Sequence, residues 1–139
     1  MIVHQINYVL TFNINDFKNY SEIIAVDPLT IPWYKGLETA KPFVVRAKAL
    51  WGGEVGWRTA TSYDATKAFI DALSKSGDNP TRAKILEKLQ DVYLPVNETS
   101  GKSLRFSPEG EREGEAFLVE VVESDNPDCS NLDFRLLEE

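Results

Sequence analysis

Ile6, Tyr8, Leu10 and Phe12 alternate with Asn7, Val9 and Thr11, the two-residue period of a strand with one buried face. Asn13-Ile-Asn-Asp16 then reads as a turn, and the apolar run Ile23-Ile-Ala-Val26 as a second, brief strand stopped at Asp27-Pro28. The stretch from Pro28 to Pro42, with Pro32 inside it, is expected to be loop. From Pro42 the period changes to that of a helix. A proline in the first turn loses no intrahelical bond, and Phe43, Ala47, Leu50 and Trp51 follow at i, i+4, i+7 and i+8 before Gly52-Gly53 ends the run. A second helix is expected to start near Thr59 to Thr61, with Thr61 and Asp64 spaced as a capping box. Ala60, Tyr63, Phe69, Ala72 and Leu73 would be its apolar face, and Ser76-Gly77 its end. A third follows Asp78-Asn-Pro-Thr81 and offers Ile85, Leu86 and Leu89 to a neighbour, without which so short a helix would scarcely persist. Leu104, Phe106, the turn Pro108-Glu-Gly110 and the strand Phe117 to Val122 read as one hairpin. Leu132, Phe134, Leu136 and Leu137 read as a loose docking segment.

Composition narrows what these elements can do. With 139 residues, 42% hydrophobic and 27% charged, the chain can pack one core and is too short for two. Its net charge of −7 is unevenly placed: Met1 to Pro108 holds 13 Lys/Arg against 11 Asp/Glu, whereas Glu109 to Glu139 holds 2 against 11. Without a basic stripe, nucleic acid is not an expected partner. No apolar run approaches the length of a membrane-spanning helix, so membrane insertion is not expected either. Met1 to Phe12 lacks the cationic start and cleavage site of a signal peptide, so the chain as written would stay in the cytoplasm. A single cysteine, Cys129, and a single histidine, His4, exclude by count an internal disulfide, thiolate clusters, multi-histidine metal sites and histidine-based triads. No nucleophile and base emerge as a pair. The expectation is therefore a protein that is not an enzyme and has neither metal nor cofactor.

The most informative stretch lies between Trp51 and Glu123. It reads Trp51-Gly-Gly-Glu-Val-Gly-Trp-Arg-Thr-Ala-Thr-Ser-Tyr-Asp-Ala65, a helix through Leu73, then Pro80-Thr-Arg-Ala-Lys-Ile-Leu-Glu-Lys-Leu89, then Ser100-Gly-Lys-Ser-Leu-Arg-Phe106 ahead of the strand at Phe117. In order and spacing this resembles the C-terminal end of type I periplasmic solute-binding proteins, the leucine/isoleucine/valine-binding or receptor-ligand-binding family. The resemblance implies an α/β chain with a partial periplasmic-binding-protein-like I fold, the closing segment of a two-lobe module. On this reading residues 23–123 are the module's C-terminal part, 1–22 are unassigned and 124–139 are an acidic tail. A strand like Ile23 to Val26 would close the second lobe's sheet with the Pro42 helix beside it. Trp57 to Leu89 would cover the first lobe's sheet, and the strand at Phe117 would return to the second.

The function implied is ligand capture by hinge closure for an ABC-type uptake system, with an amino acid or related small solute as ligand and a periplasmic location. The family's ligand-contacting position, ahead of the "Tyr-x-Ala" helix, falls on Arg58, with Trp57 adjacent and Tyr63 behind them. A guanidinium there can fork onto a carboxylate and an indole can wall a cleft. Branched-chain binders carry an aromatic where Arg58 stands. The first-lobe strands that hold an amino acid's ammonium and carboxylate have no counterpart in this sequence, so the missing lobe from another chain, and an ABC permease, are the implied partners. Two other outcomes remain open: a fragment of an extracytoplasmic ligand sensor, and a gene remnant without ligand function.

Each candidate also has a plain structural reading. Trp57 and Arg58 suit a packed indole and a surface guanidinium at a helix start, Tyr63 suits a core face, and Asp64 suits a first-turn carboxylate. Gly101-Lys-Ser103 ends like a phosphate loop, but Val96 stands where the first glycine is needed and a strand follows. Gly52-Gly-Glu-Val-Gly56 lacks the lysine of such a loop and reads as a flexible connection. Glu109-Gly-Glu-Arg-Glu-Gly-Glu115 does not have the spacing of a calcium loop and reads as an exposed turn. Asn97-Glu-Thr99 fits a glycosylation pattern that the absence of an export signal makes incidental.

Overall fold

The structure is a computed structural model that describes residues 8–10, 24–26, 29–124 and 132–137. Helix and strand are mixed in it, with small sheets, an arrangement compatible with the α/β class. The chain separates into two compact units, Met1–Ile31 with Phe117–Glu139, and Pro32–Ala116.

In the first unit, β1 (Tyr8–Leu10) and β2 (Ile24–Val26) pair in parallel, Tyr8 opposite Ile24 and Leu10 opposite Val26. Both coincide with strands expected from the pattern, while Ile6, Phe12 and Ile23 lie outside the described residues. A second sheet joins β3 (Leu29–Ile31), β6 (Phe117–Glu123) and β7 (Leu132–Leu136), all antiparallel with β6 in the middle. Val119, opposite Leu29 on one side and Leu136 on the other, is fully buried. Two expectations are corrected here. Leu29 to Ile31 is strand where loop was expected, because its backbone finds a partner in Phe117 to Val119; three residues between two prolines show no period of their own. Leu132 to Leu136 is an edge strand zipped to β6, with Arg135 Nε donating to its cross-strand partner Glu120 at 2.7 Å, and not a loose segment.

The second unit is mainly helical. A 3-10 turn at Glu38–Ala40 leads into α1 (Lys41–Trp51), which has Pro42 in its first turn. Gly52 ends it in the left-handed region at φ 69°, donating its N–H to the Lys48 carbonyl at 2.8 Å. Phe43 and Ala47 are buried as expected, but Leu50 is 76% and Trp51 53% exposed, so the last turn of the stripe projects outwards. Next, α2 (Trp57–Lys75) begins at Trp57, ahead of the expected start, after an extended Gly56. The capping box does not form: Thr61 Oγ1 donates back to the Trp57 carbonyl at 2.9 Å, and Asp64, in the helix interior, is used elsewhere. The buried stripe of α2 is Ala60, Asp64, Ala68 and Ala72, a strict four-residue repeat. Phe69 and Leu73, expected in the core, stand on the outer side together with Ile70.

The third helix, α3 (Arg82–Gln90), is capped by Thr81, whose hydroxyl accepts from the Lys84 N–H at 3.3 Å. Ile85 and Leu89 pack on the core, whereas Leu86 is exposed. Then β4 (Tyr93–Leu94) and β5 (Leu104–Arg105) pair antiparallel. Phe106 bridges Arg112 around the turn at Pro108 to Gly110, so this turn closes on Arg112 and not on Phe117. The single hairpin expected from Leu104 to Val122 is thus split: β5 joins β4 in one unit, and β6 joins β3 and β7 in the other.

Two clusters of buried residues fill the helical unit, where the length of the chain led to the expectation of a single core. Trp33, Ala40, Phe43, Ala47, Val55 and Ala60 join α1 to the start of α2. Ala68, Ala72, Val92, Leu94 and Leu104 join its second half to β4 and β5, with Ile85 and Leu89 of α3 packed against them. The resemblance implied that the Pro42 helix sits beside the second-lobe strand. Within the helical unit α1 shares a core with the start of α2, Phe43 and Ala47 falling in one cluster with Ala60.

Candidate functional site

The chemistry-bearing side chains of the helical unit gather around Asp64. The four-residue repeat of α2 turns this carboxylate inward among alanines, leaving it 1% exposed. Both of its oxygens are paired there. Its Oδ1 accepts from the Ser100 backbone N–H at 2.7 Å, and its Oδ2 accepts from the Ser100 hydroxyl and from Arg112 Nη2, both at 2.8 Å. Ser100 is shared, since its carbonyl accepts from the indole N–H of Trp33 at 2.9 Å. Four segments distant in sequence are therefore tied to one buried point: the lead into α1, the middle of α2, the loop after Glu98, and the acidic turn.

The loop fits only because it contains glycine. Gly101 has φ 118°, and a Cβ there would stand 2.6 Å from the Ala40 Cα and 2.7 Å from the Thr39 carbonyl oxygen. Thr99 braces the same loop, its hydroxyl donating to the Lys102 carbonyl at 2.7 Å. Among the described residues no buried side-chain polar atom lacks a hydrogen-bond partner. Next to the network, burial lowers the pKa of Lys102 from its ordinary value; the Arg112 charge lowers it further, and the Glu115 charge partly offsets both. Lys102 Nζ donates to the Glu115 carbonyl at 2.6 Å.

A carboxylate held by three donors and 1% exposed is turned away from solvent, and it lines neither of the two depressions described below. Its chemistry is that of a structural tie. The pattern places Asp64 in the first helical turn, which the structure corrects to the helix interior; the Glu109 to Glu115 run is a largely exposed turn as expected, except that Arg112 turns in to Asp64. The sequence did carry a signal. An acid at the four-residue interval between Ala60 and Ala68 demands a cation or donors, and Arg112 is the lone base among the glutamates of its turn.

The three residues singled out as ligand contacts lie on the first two turns of α2, not ahead of it. Trp57 is half-buried against the first core, and the Arg58 guanidinium lies 4.5 Å above its ring centre. Arg58 is exposed. Tyr63 packs against Phe43, ring centres 4.9 Å apart, and also borders an open depression of about 370 Å³ with Trp51, Thr59, Ser62 and Thr66. Trp57 and Arg58 do not line that depression, so the structure brings together only Tyr63 and a residue the pattern reading had given to the core, Trp51. A second depression, about 240 Å³, lies between Leu86, Leu89 and Gln90 of α3 and the turn at Phe106 to Gly110.

Among the described residues no group of acids, histidine and cysteine is arranged to hold a metal ion. Nor is any described helix long and apolar enough to cross a membrane. Comparison of the sequence with protein-family models finds no match, and comparison with curated proteins finds no significant relative.

Proposed function

We propose that this chain is the C-terminal part of a two-lobe solute receptor of the type I periplasmic kind, a non-enzymatic component of ABC-type uptake of amino acids or related small solutes. The observation that carries the reading is the two-sided apolar character of α2. Its inner face is filled, yet Phe69, Ile70 and Leu73 are 49%, 54% and 39% exposed on the outer side. A helix apolar on two sides belongs between layers, and the layer missing here is the sheet that the resemblance puts over Trp57 to Leu89. The chain's division, with the strands at Ile24 and Phe117 in one unit and α2 and α3 in the other, supports the same reading.

In this account another polypeptide supplies the remaining lobe, Arg58 and Trp57 meet the solute from the start of α2, and the solute favours closure by touching both lobes. A ligand-sensing fragment of a signalling protein would use the same surfaces. The test is coexpression with the product of the reading frame immediately upstream. A one-to-one complex whose Tm rises with an amino acid, and rises less in Arg58→Ala, is the expected result. Absence of any complex, with an upstream product that lacks a lobe, contradicts it.

A further inference from the structure

We infer that β7 is an interface for a second copy of this chain, the two strands pairing antiparallel about Phe134 so that Asp133 of each copy faces Arg135 of the other. This pairing is independent of the solute reading and concerns the sheet unit alone.

β7 lies at the end of its sheet, with β6 on one side and no strand on the other among the described residues. The direction of its backbone groups follows from the ladder. Leu137 donates its N–H to the Leu118 carbonyl at 3.0 Å, and antiparallel partners exchange bonds at every second position, so Arg135 and Asp133 also bond towards β6. The N–H and C=O groups of Leu132, Phe134 and Leu136 therefore point out of the sheet, a row on which another extended strand can build. In keeping with that direction, the Phe134 N–H is held by its own neighbour, donating to Asp133 Oδ1 at 2.8 Å.

The residues of β7 select what fits there. Leu132-Asp-Phe-Arg-Leu136 carries opposite charges symmetrically about its centre, and Arg135 is the sole Lys or Arg after Arg112. Because only outward-pointing residues can exchange bonds across the new seam, a pair of identical strands has two-fold registers centred on Asp133, Phe134 or Arg135. The first sets Asp133 against itself and the last sets Arg135 against itself. The register about Phe134 places Asp133 opposite Arg135 twice and Leu132 opposite Leu136 twice, with the two Phe134 rings adjacent, all favourable cross-strand pairs. In it the Phe134 N–H passes from Asp133 to the Phe134 carbonyl of the other copy, and the carboxylate turns to the facing guanidinium. That group has five donors, of which Nε serves Glu120 at 2.7 Å, and so can hold two carboxylates. Leu132, 55% exposed, gains Leu136 of the other copy as a neighbour. A two-fold contact of this kind closes on itself, so association stops at two copies.

Sedimentation equilibrium of the full chain at about 1–200 µM tests this over the range of a micromolar dimer. A monomer–dimer equilibrium is expected, weakened about tenfold or more in Asp133→Arg and in Arg135→Asp, each of which sets like charges face to face. Mixing the two variants in equal amounts should restore association to near the wild-type strength, as heterodimers, because both facing pairs are then opposite in charge. Phe134→Pro should abolish the dimer and preserve the ladder to β6, since the Phe134 N–H points away from it. A monomeric wild type, a dimer that either charge reversal leaves unchanged, or no recovery on mixing would overturn the assignment. So would a dimer that is lost when Phe69→Ser and Ile70→Ser are combined, since the contact would then lie on α2.

Discussion

At the scale of single residues, Asp64 ties the middle of α2 to the loop at Ser100 and to the turn at Arg112. Removing a buried charge's partner costs about 3–5 kcal/mol, because the survivor keeps its desolvation penalty. Asp64→Ala leaves the Ser100 N–H and Arg112 without their acceptor, so a loss of about that size in urea-unfolding free energy is expected. Arg112→Ala should cost less, its side chain being 21% exposed, and the double variant should lose less than the two single losses together. Lys102 carries a pH signature. Burial and the Arg112 charge lower its folded-state pKa, so the native state sheds this proton before the unfolded chain does. The resulting penalty is present in full below the folded-state pKa and fades as pH rises towards the unfolded value of 10.5. Relative to Lys102→Met, the wild-type chain should therefore gain stability as the pH rises towards 10.5, as paired urea titrations would read.

At the scale of elements, what the pattern of residues revealed depended on how local the forces were. Helices α1 and α3 were legible because their ends are set by local chemistry, Gly52 in the left-handed region and Thr81 as a cap. The inner face of α2 was not. Its volume comes from alanines, and its larger side chains, Phe69, Ile70 and Leu73, point the other way. Strand β3 was hidden for a different reason, since only its register with Phe117 to Val119 makes it a strand. Of the candidate residues, Tyr63 was expected on this helix, whereas Trp57 and Arg58, expected just ahead of it, form its first turn, and Trp51 as a neighbour of Tyr63 needed the turn through Gly52 to Gly56 to be known. The two faces of α2 make a prediction of their own. Phe69→Ser should change the unfolding free energy by no more than about 0.5 kcal/mol, as surface substitutions do. Leu104→Ala, which opens a cavity against Ala68 and Ala72, should cost about 2–5 kcal/mol. Urea midpoints of the two variants measured side by side provide the check.

For the whole molecule, two features pull in opposite directions. The helical unit has a satisfied, specific interior: two cores, a four-segment polar tie and a glycine that only close packing requires. A chain without selected structure would not be expected to bury a carboxylate and satisfy all its bonds. Yet Leu50, Trp51, Phe69, Ile70, Leu73 and Leu86 are all exposed on its helices, by 39% to 76%, more large apolar surface than such a unit needs to show. The proposed further layer over the outer face of α2 would account for both. The most direct test of that claim is fluorescence of a hydrophobic dye followed through a thermal melt of the purified chain. The account predicts strong dye binding at low temperature by a protein that then unfolds in a single sharp transition, with binding reduced by Phe69→Ser and Ile70→Ser together. A sharply melting protein that binds no dye in its native state would mean that the outer face of α2 is already covered, and would contradict it.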